Sequence, residues 1–116
     1  MKLRFVRESR LPSEGSKTPR SRLLYSAFSK NEMKVIRSKS FCTLYILSRL
    51  TAKTAVSECI VFISGKEIPL NRIEIVHSAP GAPVIQLPLD NKQIQNRLHI
   101  SISHTRMSVA SVAWHE

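Results

Sequence analysis

The segment from Leu98 to Trp114, LHISISHTRMSVASVAW, constrains the fold more than any other. Leu98, Ile100 and Ile102 alternate with His99, Ser101 and Ser103. Alternation with a period of two predicts a strand with one buried and one polar face. The chain then turns at His104-Thr105-Arg106, and MSVASVAWH alternates well enough to pair with the first strand. A polar face carrying two serines and ending on a histidine fits a solvent-facing edge. It also fits a site for something anionic.

Ahead of this pair the period is helical. Phe41, Leu44, Tyr45, Ser48, Ala52, Ala55, Val56 and Cys59 recur at spacings of three and four, which predicts a long helix with one buried face. SKNE, from Ser29 to Glu32, has the spacing of a capping box and predicts a short helix after it. KLRFVRE reads as a short strand and SRLPSEGSKTPRSR as a loop. Further on, a strand around Ile73 to Val76, a turn at APGAP and a second strand at VIQL lead to LDNKQIQNR, a short helix begun by Asp90. Order and lengths predict an α+β domain, one long helix packed on an antiparallel sheet. Residues 1–27 form a basic N-terminal strand and loop segment with the composition of a poorly ordered stretch, and residues 28–116 form the domain.

Composition narrows the function. With 116 residues, 42% of them hydrophobic, the chain suits one compact domain with a modest core. No run approaches the roughly 18 apolar residues of a spanning helix. Cys42 and Cys59 lack metal-ligand spacing and sit in apolar surroundings, as reduced core residues of a cytoplasmic protein would. The formal charge is +10, and residues 1–40 alone hold eleven Lys/Arg against three Glu. Such a field favours acidic partners. Sparse aromatics, not interleaved with the basic residues, argue against nucleic acid. The Arg- and Ser-rich start also has the composition of an organellar transit peptide.

Three segments in order, LSRLTAKTAVSECI, IPLNRIEIVHSAPGAPVIQL and LHISISHTRMSVASVAW, resemble a holo-acyl-carrier-protein synthase, the short single-repeat class of the 4'-phosphopantetheinyl transferases. The family pattern runs R-F-A-A-K-E-A, then W-x-D-I-E-V, x-G-x-P and H-V-S-I-S-H-T before a closing strand. The resemblance covers about Phe28 to Trp114 and is most specific in HISISHT. It implies magnesium-dependent transfer of phosphopantetheine from coenzyme A to a serine of acyl carrier protein, a step that serves fatty acid biosynthesis. It also implies a homotrimer with sites between subunits, or assembly with a complete paralogue.

Site residues follow from the same resemblance. His104 matches the family histidine beside the coenzyme A phosphates, and Ser101 and Ser103 would line the same wall. Gly81 and Pro83 match the turn near the nucleotide. Arg49, four residues before the motif lysine Lys53, suits bidentate phosphate contact. Lys53 itself is carried over as a catalytic and cofactor-binding residue.

The metal positions depart from the pattern. Family magnesium is held by an Asp on the first strand and by the Glu after the motif lysine. Here Thr54 stands at the Glu position, and the best register puts Arg4 at the Asp position. Magnesium prefers carboxylates and substrate phosphates, and a threonine hydroxyl is a poor substitute. Glu58, on the same helix face as Thr54, is the candidate for a relocated ligand or base. Three readings compete: an active transferase with an altered metal site, a coenzyme A- or carrier-protein-binding subunit without chemistry, and a small basic module for nucleic acid or another acidic partner.

Overall fold

The computed structural model describes residues 4–10, 24, 26–77 and 81–116. In chain order the elements are β1 (Arg4–Arg10), α1 (Lys30–Ser38), α2 (Thr43–Ser64), β2 (Glu74–His77), β3 (Pro83–Gln86), α3 (Lys92–Gln95), β4 (Leu98–His104) and β5 (Ser108–His115). Short 3-10 turns lie at Leu70–Arg72 and Leu89–Asn91. The architecture is the expected α+β one. The long helix α2 packs on an antiparallel sheet of order β1-β5-β4, while β2 and β3 pair in a second, two-stranded sheet.

The alternating segments behave as their period requires. β4 and β5 pair antiparallel from Leu98↔His115 to His104↔Val109. Thr105 closes the turn between them: its Oγ1 accepts from the Met107 and Ser108 amides at 3.2 and 3.1 Å. β1 pairs with the other edge of β5, from Arg4↔Trp114 to Arg10↔Ser108. The expected loop over residues 11–22 lies outside the described residues, as do residues 79 and 80 of the expected APGAP turn.

α2 sits low on the sheet because the residues between them are small. Ala52 and Ala55 on the helix and Ser111 and Ala113 on β5 are fully buried. Val56, Cys59, Ile60, Ile73, Ile75, Ile85 and Leu98 complete that core, and Leu24, Phe28, Met33, Ile36 and Ile46 form a second cluster around α1. The helix stops at Gly65, whose φ of +71° is the left-handed cap conformation that favours glycine.

Three details differ from the sequence reading. Phe41 is not part of α2: α1 ends in a Schellman-type turn, with Ser40 N–H donating to Arg37 O and Phe41 N–H to Ile36 O, each at 3.0 Å. Ser40 and Phe41 both take φ +54° there, so the helix begins only at Thr43. Cys42 is consequently exposed as the residue preceding α2, whereas Cys59 is buried as expected. The LDN segment forms a 3-10 turn, so α3 starts at Lys92 after Asn91 and not at Asp90.

The capping box forms as its spacing predicts. Ser29 N–H donates to Glu32 Oε1 at 3.0 Å, and Glu32 N–H donates to Ser29 Oγ at 3.2 Å. Glu32 has a second role. Its Oε1 also accepts from Lys53 Nζ, and its Oε2 accepts from the Ile75 amide at 3.1 Å. Lys53 is fully buried on α2 and spends its remaining donors on the carbonyls of Ala27, at 2.6 Å, and Leu70, at 2.8 Å. The ammonium also lies 4.7 Å from the centre of the Phe28 ring. Burial pulls the Lys53 pKa below the ordinary lysine value, and the Glu32 carboxylate opposes that shift.

Removing one member of such a pair strands the other charge in a dry interior. Lys53→Met is expected to destabilise the fold by about 3–5 kcal/mol. Adding Glu32→Gln should recover part of that loss, because the stranded carboxylate is gone. Urea unfolding of both variants checks this, and additive losses in the double variant would contradict the pairing.

Candidate functional site

Cys42, at the N-cap of α2, and Tyr45 and Arg49 on its first turns follow one another along one face, at spacings of three and four. The β2–β3 hairpin faces them with His77, Gly81 and Pro83, and the end of β4 adds Ile102 and His104. Lys39, at the end of α1, completes the rim. These residues enclose a cleft of about 600 Å³, a size typical of small-molecule sites. None of its lining residues is acidic.

Arg49 is the central group. It is only 6% exposed, yet among the described residues no carboxylate pairs with it. One terminal nitrogen donates to His77 Nε2, and its Nε has no partner. The guanidinium carbon lies 4.7 Å from the centre of the Tyr45 ring, and Lys39 Nζ lies 5.1 Å from the same ring. Tyr45 thus gathers two cations that would otherwise repel.

His77 is fixed from both sides. Its Nδ1 lies 2.8 Å from the Gly81 carbonyl oxygen, which only accepts, so the network assigns the proton to Nδ1. Nε2 then carries a lone pair and accepts from Arg49. Gly81 has φ +119°, a conformation that side chains strain, and this orients its carbonyl toward the imidazole. Among the described residues this buried cation has no counter-ion, and with a second cation and two imidazoles on the same cleft the chemistry suits an anion.

The structure sorts the sequence candidates. Arg49, Gly81, Pro83 and His104 come together in the cleft. Lys53 does not reach it: all its donors are used inside the core, and its role is structural. Ser101 and Ser103 do not share the wall of His104. The pleat places them with His99 on the outer face of the sheet, while Leu98, Ile100, Ile102 and His104 point toward α2.

In LHISISH the serines thus belong to the outer sheet face, and the terminal histidine lines the cleft.

Glu58 and Thr54 lie elsewhere on α2, along its seam with β1. Ser9 meets Thr51, with Thr51 Oγ1 donating to Ser9 Oγ at 3.0 Å, Arg7 pairs with Glu58, and Phe5 packs on Phe62 at 5.6 Å between ring centres. The β1 residues facing α2 are therefore Phe5, Arg7 and Ser9. Arg4 lies on the opposite face of the sheet, which corrects the register that set it at the family Asp position. Thr54 Oγ1 donates to Leu50 O at 2.9 Å. Among the described residues no group of three His, Cys, Asp or Glu is placed to hold a metal ion. The donor set on this seam, a threonine hydroxyl and a carboxylate already paired with an arginine, does not fit magnesium.

His77 and Lys39 escaped the sequence reading. His77 closes the short strand EIVH, and nothing in its spacing distinguishes it from a surface histidine. Lys39 is one of many basic residues in the first third of the chain.

No protein-family model and no curated protein matches the chain by sequence. By structure it is similar to the holo-[acyl-carrier-protein] synthase of Helicobacter pylori, solved in complex with coenzyme A, with a TM-score of 0.75 and 23% identity over 98% of this chain and 100% of that one. The holo-(acyl-carrier-protein) synthase of Bacillus anthracis str. Ames, in complex with CoA (3',5'-ADP), gives 0.71 and 17% over 100% and 98%. That of Neisseria meningitidis gives 0.70 and 15% over 97% of each chain. The fold is that of the holo-acyl-carrier-protein synthases.

A buried, unpaired cation is held at the expense of stability. Arg49→Met keeps the length and removes the charge, so in the absence of ligand it should leave unfolding stability unchanged or raise it by up to about 2 kcal/mol. Urea unfolding of the ligand-free variant measures this. A loss of stability comparable to that of Lys53→Met would make Arg49 a structural residue.

Proposed function

We propose that this chain is a holo-acyl-carrier-protein-synthase-like protein that binds coenzyme A in the cleft between α2 and the β2–β3 hairpin. The observation that carries this reading is Arg49, a 6% exposed cation that, among the described residues, has an unbonded Nε and no carboxylate partner, facing a cleft of ligand size. Phosphate oxygens would complete its bonding with charge-assisted contacts. Lys39 and His104 would add donors from the rim, and Tyr45 and Ile102 offer apolar surface to the rest of the molecule. The same fold binds coenzyme A in the Helicobacter pylori protein.

Acyl carrier protein is the proposed partner, and the excess of basic residues suits an acidic one. In the reaction this reading implies, a carrier serine hydroxyl gives up its proton to solvent as its oxygen attacks the phosphorus bearing the pantetheine arm. A P–O bond forms, the pyrophosphate P–O bond breaks, and 3',5'-ADP leaves. Arg49 and Lys39 would neutralise the charge that gathers on the phosphates. A homotrimer belongs to the same proposal. The outer sheet face sets Val6, Val112 and Ser101 in one row across three strands, with Val6 54% exposed.

One observation favours a second reading, binding without transfer. The α2–β1 seam carries the Arg7–Glu58 ion pair and Thr54 where the fold's relatives are expected to bring carboxylates to a magnesium ion. A subunit of this kind would hold coenzyme A or carrier protein beside a complete paralogue.

Coenzyme A should raise the melting temperature of the protein, as a ligand specific to the native state must. Arg49→Ala and His104→Ala should each weaken binding by about 1–3 kcal/mol, read by calorimetry. No binding at millimolar coenzyme A would remove the reading.

Incubation with coenzyme A, magnesium and apo carrier protein, followed by weighing the carrier, separates transfer from binding alone. Thr54→Glu with Arg7→Asp, beside Glu58, should make the melting temperature magnesium-dependent and raise transfer above wild type. Efficient transfer by wild type, lowered by these changes, would reject the binding-only reading.

A further inference from the structure

The cleft that holds Arg49 also holds a thiol. Cys42 is exposed, lines the cleft and makes no capping hydrogen bond to the first turn of α2. Lys39 precedes it by three residues, and Arg49 follows it by seven, two helical turns further along the same face. That separation is about 10 Å along the helix axis. Arg49 lines this same space and, among the described residues, keeps a buried Nε without a partner. Partly exposed, electropositive surroundings are those in which cysteines react. The second cysteine has the opposite environment: Cys59 is fully buried, and burial pushes its thiol up, with Arg97 opposing.

We propose that Cys42 is a site of thiol–disulfide exchange selective for disulfides whose arm carries phosphates, coenzyme A disulfide above all. The proposal rests on the reading of the cleft as a coenzyme A site. Such a disulfide joins an anionic end, which Arg49 and Lys39 attract, to an electrophilic sulfur on a flexible arm longer, when extended, than the distance between the two residues. The Cys42 thiol gives its proton to solvent, and Sγ attacks one sulfur of the disulfide. The original S–S bond breaks, and a new one joins Cys42 to one coenzyme A moiety. The other moiety leaves as a thiolate and takes up a proton. The disulfide is the only oxidant consumed, and the adduct fills the mouth of the cleft.

The test compares two disulfides with the same reacting sulfur and arm: coenzyme A disulfide, and pantethine, which lacks the phosphates. Intact mass follows adduct formation on the reduced full chain, and peptide mapping locates it. Coenzyme A disulfide should modify Cys42 about tenfold or more faster than pantethine, as steering into a cationic cleft requires. That excess should shrink with salt and vanish in Arg49→Met, with Cys59 unmodified and no adduct in Cys42→Ser. Equal rates for the two disulfides, or an adduct on Cys59, would overturn the proposal. Calorimetry of wild type with reduced coenzyme A runs alongside. Binding combined with equal rates overturns the Cys42 proposal alone, and absent binding with equal rates overturns the coenzyme A reading as well.

Discussion

The ammonium of Lys53, closed off from solvent on α2, bonds at once to Glu32 of α1, to the Ala27 carbonyl ahead of α1 and to the Leu70 carbonyl ahead of β2. Glu32 in turn takes the first free amide of its own helix and the Ile75 amide of β2. Two side chains therefore fix three elements against one another. Those three elements carry the cleft. Lys39 ends α1, Arg49 lies one turn before Lys53 on α2, and His77 lies two residues after Ile75 on β2. No member of the pair touches the cleft, yet the spacing of its cations depends on them. Each buried charge here is matched by its partner and by further hydrogen bonds, the condition under which a buried pair holds its geometry.

Arg49 presents the reverse arrangement, one turn away on the same helix. Its charge is nearly as buried, but it meets a neutral imidazole, an aromatic face and one unused N–H. The rigid frame set by Lys53 and Glu32 supplies the stability against which this uncompensated group is held. Preorganisation of this sort would favour the proposed binding, because such a site need not rearrange to accept an anion. His77 shows how far the arrangement reaches: its proton is placed by the Gly81 carbonyl, and Gly81 can aim that carbonyl only through a backbone conformation suited to glycine.

Local patterns made the fold legible in the sequence. Period two gave β4 and β5, period 3.6 gave α2, and the Ser29–Glu32 spacing gave the start of α1. Long-range pairing was not legible. Lys53 reads as a site lysine by its motif, and nothing local corrects that, because its acidic partner lies 21 residues upstream inside a capping box that already explains Glu32. His77 and Arg49 are 28 residues apart and meet only once the hairpin folds back over α2. Cys42 reads as a core residue from its apolar neighbours in sequence, and the turn before it is hidden because it uses serine and phenylalanine where glycine would have marked a helix end. Ser101 and Ser103 were set beside His104 by motif, although the alternation that revealed the strand already put them on its other face.

The seam between α2 and β1 argues in the same terms about chemistry. A metal-bridged seam needs carboxylates on both sides and gains its cohesion from the ion between them. This seam needs none, because strand and helix close on each other directly through Ser9 and Thr51, Arg7 and Glu58, and Phe5 and Phe62. The three contacts follow the antiparallel run of strand and helix, polar at one end and aromatic at the other. Arg7 and Glu58 are both partly exposed, so their attraction is screened and its contribution to stability small. Its consequence is electrostatic. The pair is neutral as a unit, so it neither attracts a divalent cation nor adds to the field of the cleft. The unbalanced positive charge of the described cleft therefore stays on Lys39 and Arg49, and catalysis of phosphoryl transfer would have to draw its charge stabilisation from that pair or from a neighbouring chain.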